Sequence, residues 1–298
     1  MFFTEFTAAI PLQAGERVLI AATSVSALIL AAAGLTIIFG LMGVLNLAHG
    51  SFVMLGAYVG FAVQDVGLSP WIGILLAPIL VGLIGLALEM SLVKRLYERP
   101  LDTLLATWGV AILLREGVKI IFGTSQKSVN APIEGSIALA GIQTPVYWLF
   151  MIGTSVVVMT AVILLFKYTD LGIMALAVIE NRDMASALGI NTTLSDRLTF
   201  AFGSSLAGLA GVIIAPRVSV NAQMGVSWLA DSFLAVIVGG VGTFVGTIVG
   251  SVFLGGLNNL FRTIFPNFTA LAQALVLVIA LIIIRYRPNG IIAPGGRE

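Results

Sequence analysis

The chain has 298 residues, of which 59% are hydrophobic and only 10% charged, with a net charge of +1. Soluble domains carry roughly 25% charged residues, so a water-soluble fold is excluded and a polytopic membrane protein is expected. The net charge says nothing about nucleic acid, but no basic runs occur that would bind it, and the absence of cysteine excludes disulfides, thiolate metal sites and cysteine nucleophiles.

The first residues, MFFTEFTAAIPLQAGERV, have no basic n-region, and Glu5, Pro11 and Glu16 interrupt their apolar run. They are not expected to form a cleaved leader, and the first span would act as the insertion signal. A bilayer-crossing helix needs roughly 20 apolar residues. Apolar runs fall at 18–40, 41–63, 70–93, 103–122, 146–166, 198–215, 229–256 and 268–284. The expected fold is therefore an all-α integral membrane protein with about eight segments, read as one transmembrane permease domain over 1–298.

Two of these runs are unusual. Residues 34–60, GLTIIFGLMGVLNLAHGSFVMLGAYVG, carry Asn46, His49 and Ser51 at a glycine-rich centre, and His49 is the only histidine of the chain. A bilayer does not hydrate polar groups, so protein or a water-filled path must satisfy them. Gly-interrupted apolar segments with polar residues at the break point to a transport site. Residues 229–256 are the second case, with G-G-V-G at 239–242 echoing G-L-M-G at 40–43. An internal repeat would give such pairing; small-residue helix packing would give it too.

Orientation follows from Lys and Arg. Lys94, Arg95 and Arg99, then Lys167, Arg182 and Arg197, then Arg285, Arg287 and Arg297 form three basic groups, assigned to the cytoplasm. The loop 123–145 is assigned outside, and the N-terminus with it. Three apolar runs between 197 and 285 then make an odd number of crossings, so 229–256 is expected to be broken or re-entrant. Arg115, Glu116 and Lys119 are expected to snorkel beyond a helix that ends near residue 114.

The connection 167–197 is the most polar internal stretch. Thr169 and Asp170 are placed to cap a helix, and Asn191 to Ser195 to cap the next span. Between them IENRDMASALG, 179–189, has the pattern of one short amphipathic helix ended by Gly189 in a left-handed conformation. Such a helix either covers the membrane surface or docks a soluble partner.

Four motifs in order carry a family resemblance: G-L-T-I-I-F-G-L-M-G-V-L-N-L-A-H-G at 34–50, N-R-x-M-A-x-x-L-G-I at 181–190, T-F-A-F-G-S-S-L-A-G-L-A-G at 199–211 and A-V-I-V-G-G-V-G-T-F-V-G at 235–246. Together they resemble the branched-chain amino acid permeases of ABC importers. The Leu-Pro that ends the general importer loop is absent. Within the family, R-P-L-D-T-L-L-A-T-W-G-V at 99–110 looks most like the permeases of urea and short-chain amide importers.

The resemblance implies a bacterial, multi-pass subunit of the cytoplasmic (inner) membrane that imports urea or short amides. An amino acid importer permease is the alternative; a passive channel or ion-coupled carrier for small polar solutes is the second. The implied partners are a homologous second permease, two cytoplasmic ATPases and an external or periplasmic solute-binding protein. No G-x-x-x-x-G-K-[ST] loop occurs, so the chain is expected not to be an enzyme and to hold no cofactor or metal, with ATP and Mg on the ATPases.

A urea path needs hydrogen-bond donors and acceptors without charge. Asn46, His49, Ser51, Thr103, Thr107, Trp108, Thr199 and Ser204 are its candidates, with Ser205 beside them. His49 could equally bond a carbonyl of the broken helix, the threonines their own helix backbone, and Trp108 could anchor at the interface. An amino acid would need charged partners; Asp231 and Glu89 lie only near the ends of their segments. Coupling to the ATPases falls to Glu180, Asn181, Arg182, Asp183, Met184, Leu188 and Gly189.

Overall fold

The computed structural model describes residues 2–97, 99–139 and 141–292, with side chains from residue 15 onward. Arg297 of the third basic group lies outside the described residues. The architecture is helical apart from one hairpin. In chain order come α1 (Phe2–Leu35), a wide π-helical turn (Thr36–Leu41), α2 (His49–Asp65), α3 (Pro70–Ser91) and α4 (Pro100–Phe122). Strands β1 (Ser136–Leu139) and β2 (Ile142–Pro145) lead into α5 (Val146–Tyr168), α6 (Asp170–Glu180) and α7 (Arg182–Ala187). Last are α8 (Thr192–Ile214), α9 (Met224–Gly239), α10 (Phe244–Ile264) and α11 (Thr269–Tyr286).

Among the described residues six helical stretches are long and apolar enough to cross a membrane, those holding α1, α3, α5, α8, α10 and α11. The chain is a multi-pass protein of the inner membrane. Two further helices, α4 and α9, join one face to the other, and α2 runs from the interior to the face that holds Gln64 and Asn130. At one face the backbone of Lys127 pairs with Val220, Gln64 bonds the backbone of Asn130, and Gly15 abuts Ile142 of the hairpin. At the opposite face Leu41, Lys94, Arg95, Arg99 and Arg182 surround one cavity. Basic residues gather at the second face, which is the cytoplasmic one by the charge rule.

Two expectations need correction. The run 229–256 is not one broken or re-entrant segment. It is a helical hairpin, α9 and α10, joined by 240–243, where Gly240 and Gly242 take φ of +125° and +83°. Two crossings replace one, and the odd count disappears. The run 41–63 is interrupted, as the glycines of 34–60 suggested. Residues 42–48 climb back into the membrane without helical structure, and α2 begins only at His49. Finally, α4 does not end near 114 but continues to Phe122, where Gly123 at φ +81° stops it. Its charges find partners: Lys119 pairs with Glu116 at 2.7 Å, and Arg115 donates to Gln223 at 3.2 Å.

The core is built on α8, whose small residues admit neighbouring backbones. Gly208 lies against Ala77 and Val81 of α3, and the carbonyls of Gly208 and Val53 occupy the places where Cβ atoms on Gly56 and Gly211 would sit. Lipid tails give helices no hydrophobic reason to associate, so such close approach is how they gain packing. The apolar side chains left outside, among them Leu75, Ile79 and Leu83 of α3, face the position of the bilayer.

Candidate functional site

Three regions gather polar residues that could serve a transport site. The first is the non-helical stretch 42–48, a backbone that must find hydrogen bonds without water. Gly43, at φ +70°, turns the chain out of the π-helical turn. Asn46 accepts from the Ala48 N–H through Oδ1 (3.0 Å) and so starts α2. The Thr107 hydroxyl of α4 accepts from the Leu47 N–H (3.1 Å) and faces the Leu45 carbonyl (3.3 Å). Ser51 donates to the Ala111 carbonyl (3.3 Å), and His49 Nε2 lies 2.9 Å from the Ala31 carbonyl of α1.

Asn46, His49 and Thr107 are each fully buried. The structure thus brings Asn46, His49, Ser51 and Thr107 into one seam that ties 42–51 to α1 and α4. The remaining candidates lie elsewhere. Thr103 donates to the carbonyls of Leu96 and Arg99 at the start of α4. Ser204 donates to Phe200 within α8. Thr199 borders an apolar cavity with Phe166 and Phe202, and Trp108 faces outward with 52% of its surface exposed.

The break touches its counterpart. A Cβ on Gly40 would sit 2.9 Å from the Gly242 nitrogen. One turn away, the hydroxyls of Thr36 and Thr247 are 2.6 Å apart and buried. Thr107→Val should cost about 1–3 kcal/mol, because it strands the part-buried Leu47 N–H. Thr107→Ser should retain most of that stability. Thermal unfolding of the detergent-solubilised chain measures both.

The second region is the cytoplasmic connection. Two helices replace the single one expected over 179–189, because Asn181 is extended (φ −153°, ψ 100°). Thr169 caps α6 by accepting from Gly172, Asn181 caps α7 by accepting from Met184 (2.9 Å), and Asn191 caps α8 by accepting from Leu194 (3.0 Å). Gly189, at φ +83°, closes α7, with Ile190 N–H bonding Ala185 and Gly189 N–H bonding Ser186. That double bond is the Schellman ending. Glu180, Arg182, Asp183, Met184 and Leu188 are all exposed, Leu188 by 75%.

One of them also reaches inward. Arg182 Nη2 lies 2.8 Å from Asp196 Oδ2 on α8, and its guanidinium stands over the Tyr97 ring at 5.8 Å. Tyr97 donates to Glu89 of α3 (3.3 Å), and Arg197 of α8 faces Glu89 at 3.6 Å. Burial pushes the Tyr97 phenol upward, and the nearby Asp196 and Glu89 push it further, so it remains a donor. This cluster joins α7 to α3 and α8. Sequence reasoning singled out Arg182 and missed Asp196, whose place in the first turns of a span was its only signal.

The third region is a cavity of about 430 Å³ in the outer half of the molecule, among α1, α9, α10 and α11. It is lined by Asp231, Arg262, Arg217, Asn258, Gln273 and Ser227, beside Leu28, Leu234, Leu254 and Val276. Arg262, a lone cation between two apolar runs, was not read as a candidate from sequence. Among the described residues no three His, Cys, Asp or Glu side chains come close enough to hold a metal.

Comparison with known proteins adds a family. Residues 17–284 match the family described as the branched-chain amino acid transport system / permease component. The chain is 30% identical over 248 residues to the high-affinity branched-chain amino acid transport system permease protein LivH of Escherichia coli, covering 76% of this chain and 79% of that protein. It is 25% identical over 280 residues to the permease protein BraD of the same kind of system in Pseudomonas aeruginosa, covering 88% and 90%. To the ribose import permease protein RbsC of Haemophilus influenzae it is 28% identical over 280 residues, covering 89% and 83%. No solved structure matches.

Proposed function

Because the chain belongs to the branched-chain amino acid permease family, we propose that it is a membrane subunit of an ATP-driven importer of amino acids, with branched-chain ones foremost. In this reading ATP is hydrolysed on separate ATPase subunits, and a solute-binding protein delivers substrate at the outer face. The carrying observation is the capped connection α6–α7, which is exposed at the cytoplasmic face and joined by Arg182 to the ends of two spans. Glu180, Asn181, Asp183, Met184, Leu188 and Gly189 form the surface an ATPase would grip. Asn46, His49, Ser51 and Thr107 hold the break in shape beside the path. The contact of Gly40 with Gly242 supports reading the two breaks as paired elements of a repeat.

The urea reading gains no support from the structure or from the relatives. The stretch 99–110 that suggested it spends its threonines on backbone carbonyls and the break. The relatives are named for branched-chain amino acids and ribose. Since those names span two solute classes, the test compares solutes. The permease is reconstituted in proteoliposomes with its ATPase and binding-protein subunits, and uptake of labelled leucine, ribose and urea is followed with ATP inside. Leucine uptake that requires ATP is the expected result. Uptake of urea or ribose without leucine would overturn the amino acid assignment, and uptake without ATP would overturn the importer.

A further inference from the structure

Charges inside a membrane protein are costly, and they pair or face a water-filled cavity. Asp231 and Arg262 face the same cavity, and each has more than a third of its surface exposed. Yet among the described residues no ion pair within 4.0 Å joins them; the four pairs that form lie elsewhere. The gap between an acid and a base held apart is a place for a ligand that carries both charges.

We propose that this cavity is a relay site for an α-amino acid zwitterion, with Asp231 taking the ammonium and Arg262 the carboxylate. The proposal rests on the amino acid reading above and deepens it. An ammonium offers three donors, and Asp231 offers acceptors only. Asn259 donates its amide N–H to the Gly255 carbonyl (2.8 Å), which leaves its side-chain oxygen free to accept a further ammonium proton. Arg262 presents a planar fork that matches a carboxylate bidentately. Arg217, the other cation on the wall, stands over the Trp148 ring at 5.5 Å and is therefore partly engaged.

The rest of the lining suits the side chain. Leu28, Leu234, Leu254 and Val276 are apolar, so a branched aliphatic group would meet hydrocarbon while its polar end met the charges. A volume of about 430 Å³ falls at the lower end of ordinary small-molecule sites, roughly 300–1,000 Å³. Urea and ribose carry no charge, and neither would bring a counter-charge to either ion. The position, with Arg262 near the outer end of α10, places the site just below the surface where a delivered solute enters.

The test uses the importer assembled with its ATPases and binding protein. Asp231→Asn and Arg262→Gln are expected to lower leucine uptake at least about tenfold, while loaded binding protein still stimulates ATP hydrolysis. Uptake within twofold of the unmutated importer in both variants would overturn the relay site. If either variant fails to assemble, the decision passes to labelling. The chain has no cysteine, so Ser227→Cys supplies one thiol in the cavity wall, reactive toward a methanethiosulfonate reagent. Leucine should slow that reaction several-fold, and isocaproate, which lacks the ammonium, should not. No protection by leucine, or equal protection by isocaproate, would overturn the site. Failure of the amino acid reading looks different: the unmutated importer itself would take up no amino acid, and the relay site would fall with it.

Discussion

Replacing Gly50 by alanine is expected to destabilise the chain by about 3 kcal/mol, the upper end of the usual overpacking cost. The reason is where the new methyl would go. It would run into the Gly225 carbonyl of α9, with the Gly225 carbon 2.8 Å away and Leu229 Cβ at 2.9 Å. The contact is reciprocal, since a Cβ on Gly225 would meet the Gly50 carbonyl and lie 3.2 Å from the Ser51 nitrogen. These are backbone atoms of two helices, and no side chain can swing aside to make room. Nor can α2 shift away freely, because His49 beside Gly50 is buried against α1 and within 2.9 Å of the Ala31 carbonyl. Gly109→Ala is the matched control. Gly109 sits in α4 with nothing within 4 Å of an added Cβ, so alanine should be neutral or gain up to about 1 kcal/mol of helix propensity. Thermal midpoints of the two variants in detergent decide the matter. Equal shifts would mean that the α2–α9 contact is looser than it stands here.

That contact also shows what sequence reasoning reaches. The glycines of 34–60 and 229–256 were legible as breaks, since apolar runs rarely carry so many. What they break was not. Gly43 bends the chain into seven residues without helix, whereas Gly50 and Gly56 remain helical and serve only to let α9 and α8 approach. Composition cannot tell a glycine that turns from one that packs. The hairpin at 240–243 was hidden for the same reason, as α9 and α10 read as one apolar stretch until Gly240 and Gly242 reverse the chain.

Caps were clearer than helix lengths. Thr169, Asn191 and Gly189 stand where expected because a cap is a local bargain between one side chain and the next turn. Asn181 looked like a surface residue of a helix, and it starts a new one. The hairpin β1–β2 lay unseen in the loop 123–145, although Gly141 at φ +85° marks its turn. Long-range partners left the least trace. Nothing in sequence sets Arg262 opposite Asp231, or Thr107 beside Leu47, since these meetings are made by helices packing and not by spacing along one of them.

Breaking the Arg182–Asp196 pair should separate ATP hydrolysis from transport. Arg182 is half exposed on α7, and Asp196 is 11% exposed at the start of α8, 2.8 Å away. Behind them Tyr97, Glu89 and Arg197 continue the contact into α3 and α8. On the proposed reading a push on α7 would reach two spans through these charged contacts, and Ala185 is its only buried side chain. Arg182→Ala leaves Asp196 without its cation in a mostly buried place, which costs more than a surface ion pair would return. Coupling free energies of this kind are about 1–3 kcal/mol, or roughly 5- to 150-fold. Arg182→Ala and Asp196→Ala should each lower solute moved per ATP by at least about fivefold, with the ATPases still bound. The exchanged pair, Arg182→Asp with Asp196→Arg, should recover a good part of the loss. Asp183 offers the contrast: it is exposed and, among the described residues, makes no ion pair. Asp183→Arg should weaken co-purification of the ATPases and leave the solute-per-ATP ratio of the surviving complexes unchanged. Ratios that fall alike in all these variants, the exchanged pair included, would mean that α7 acts only as a docking surface and that its force enters the spans by another route.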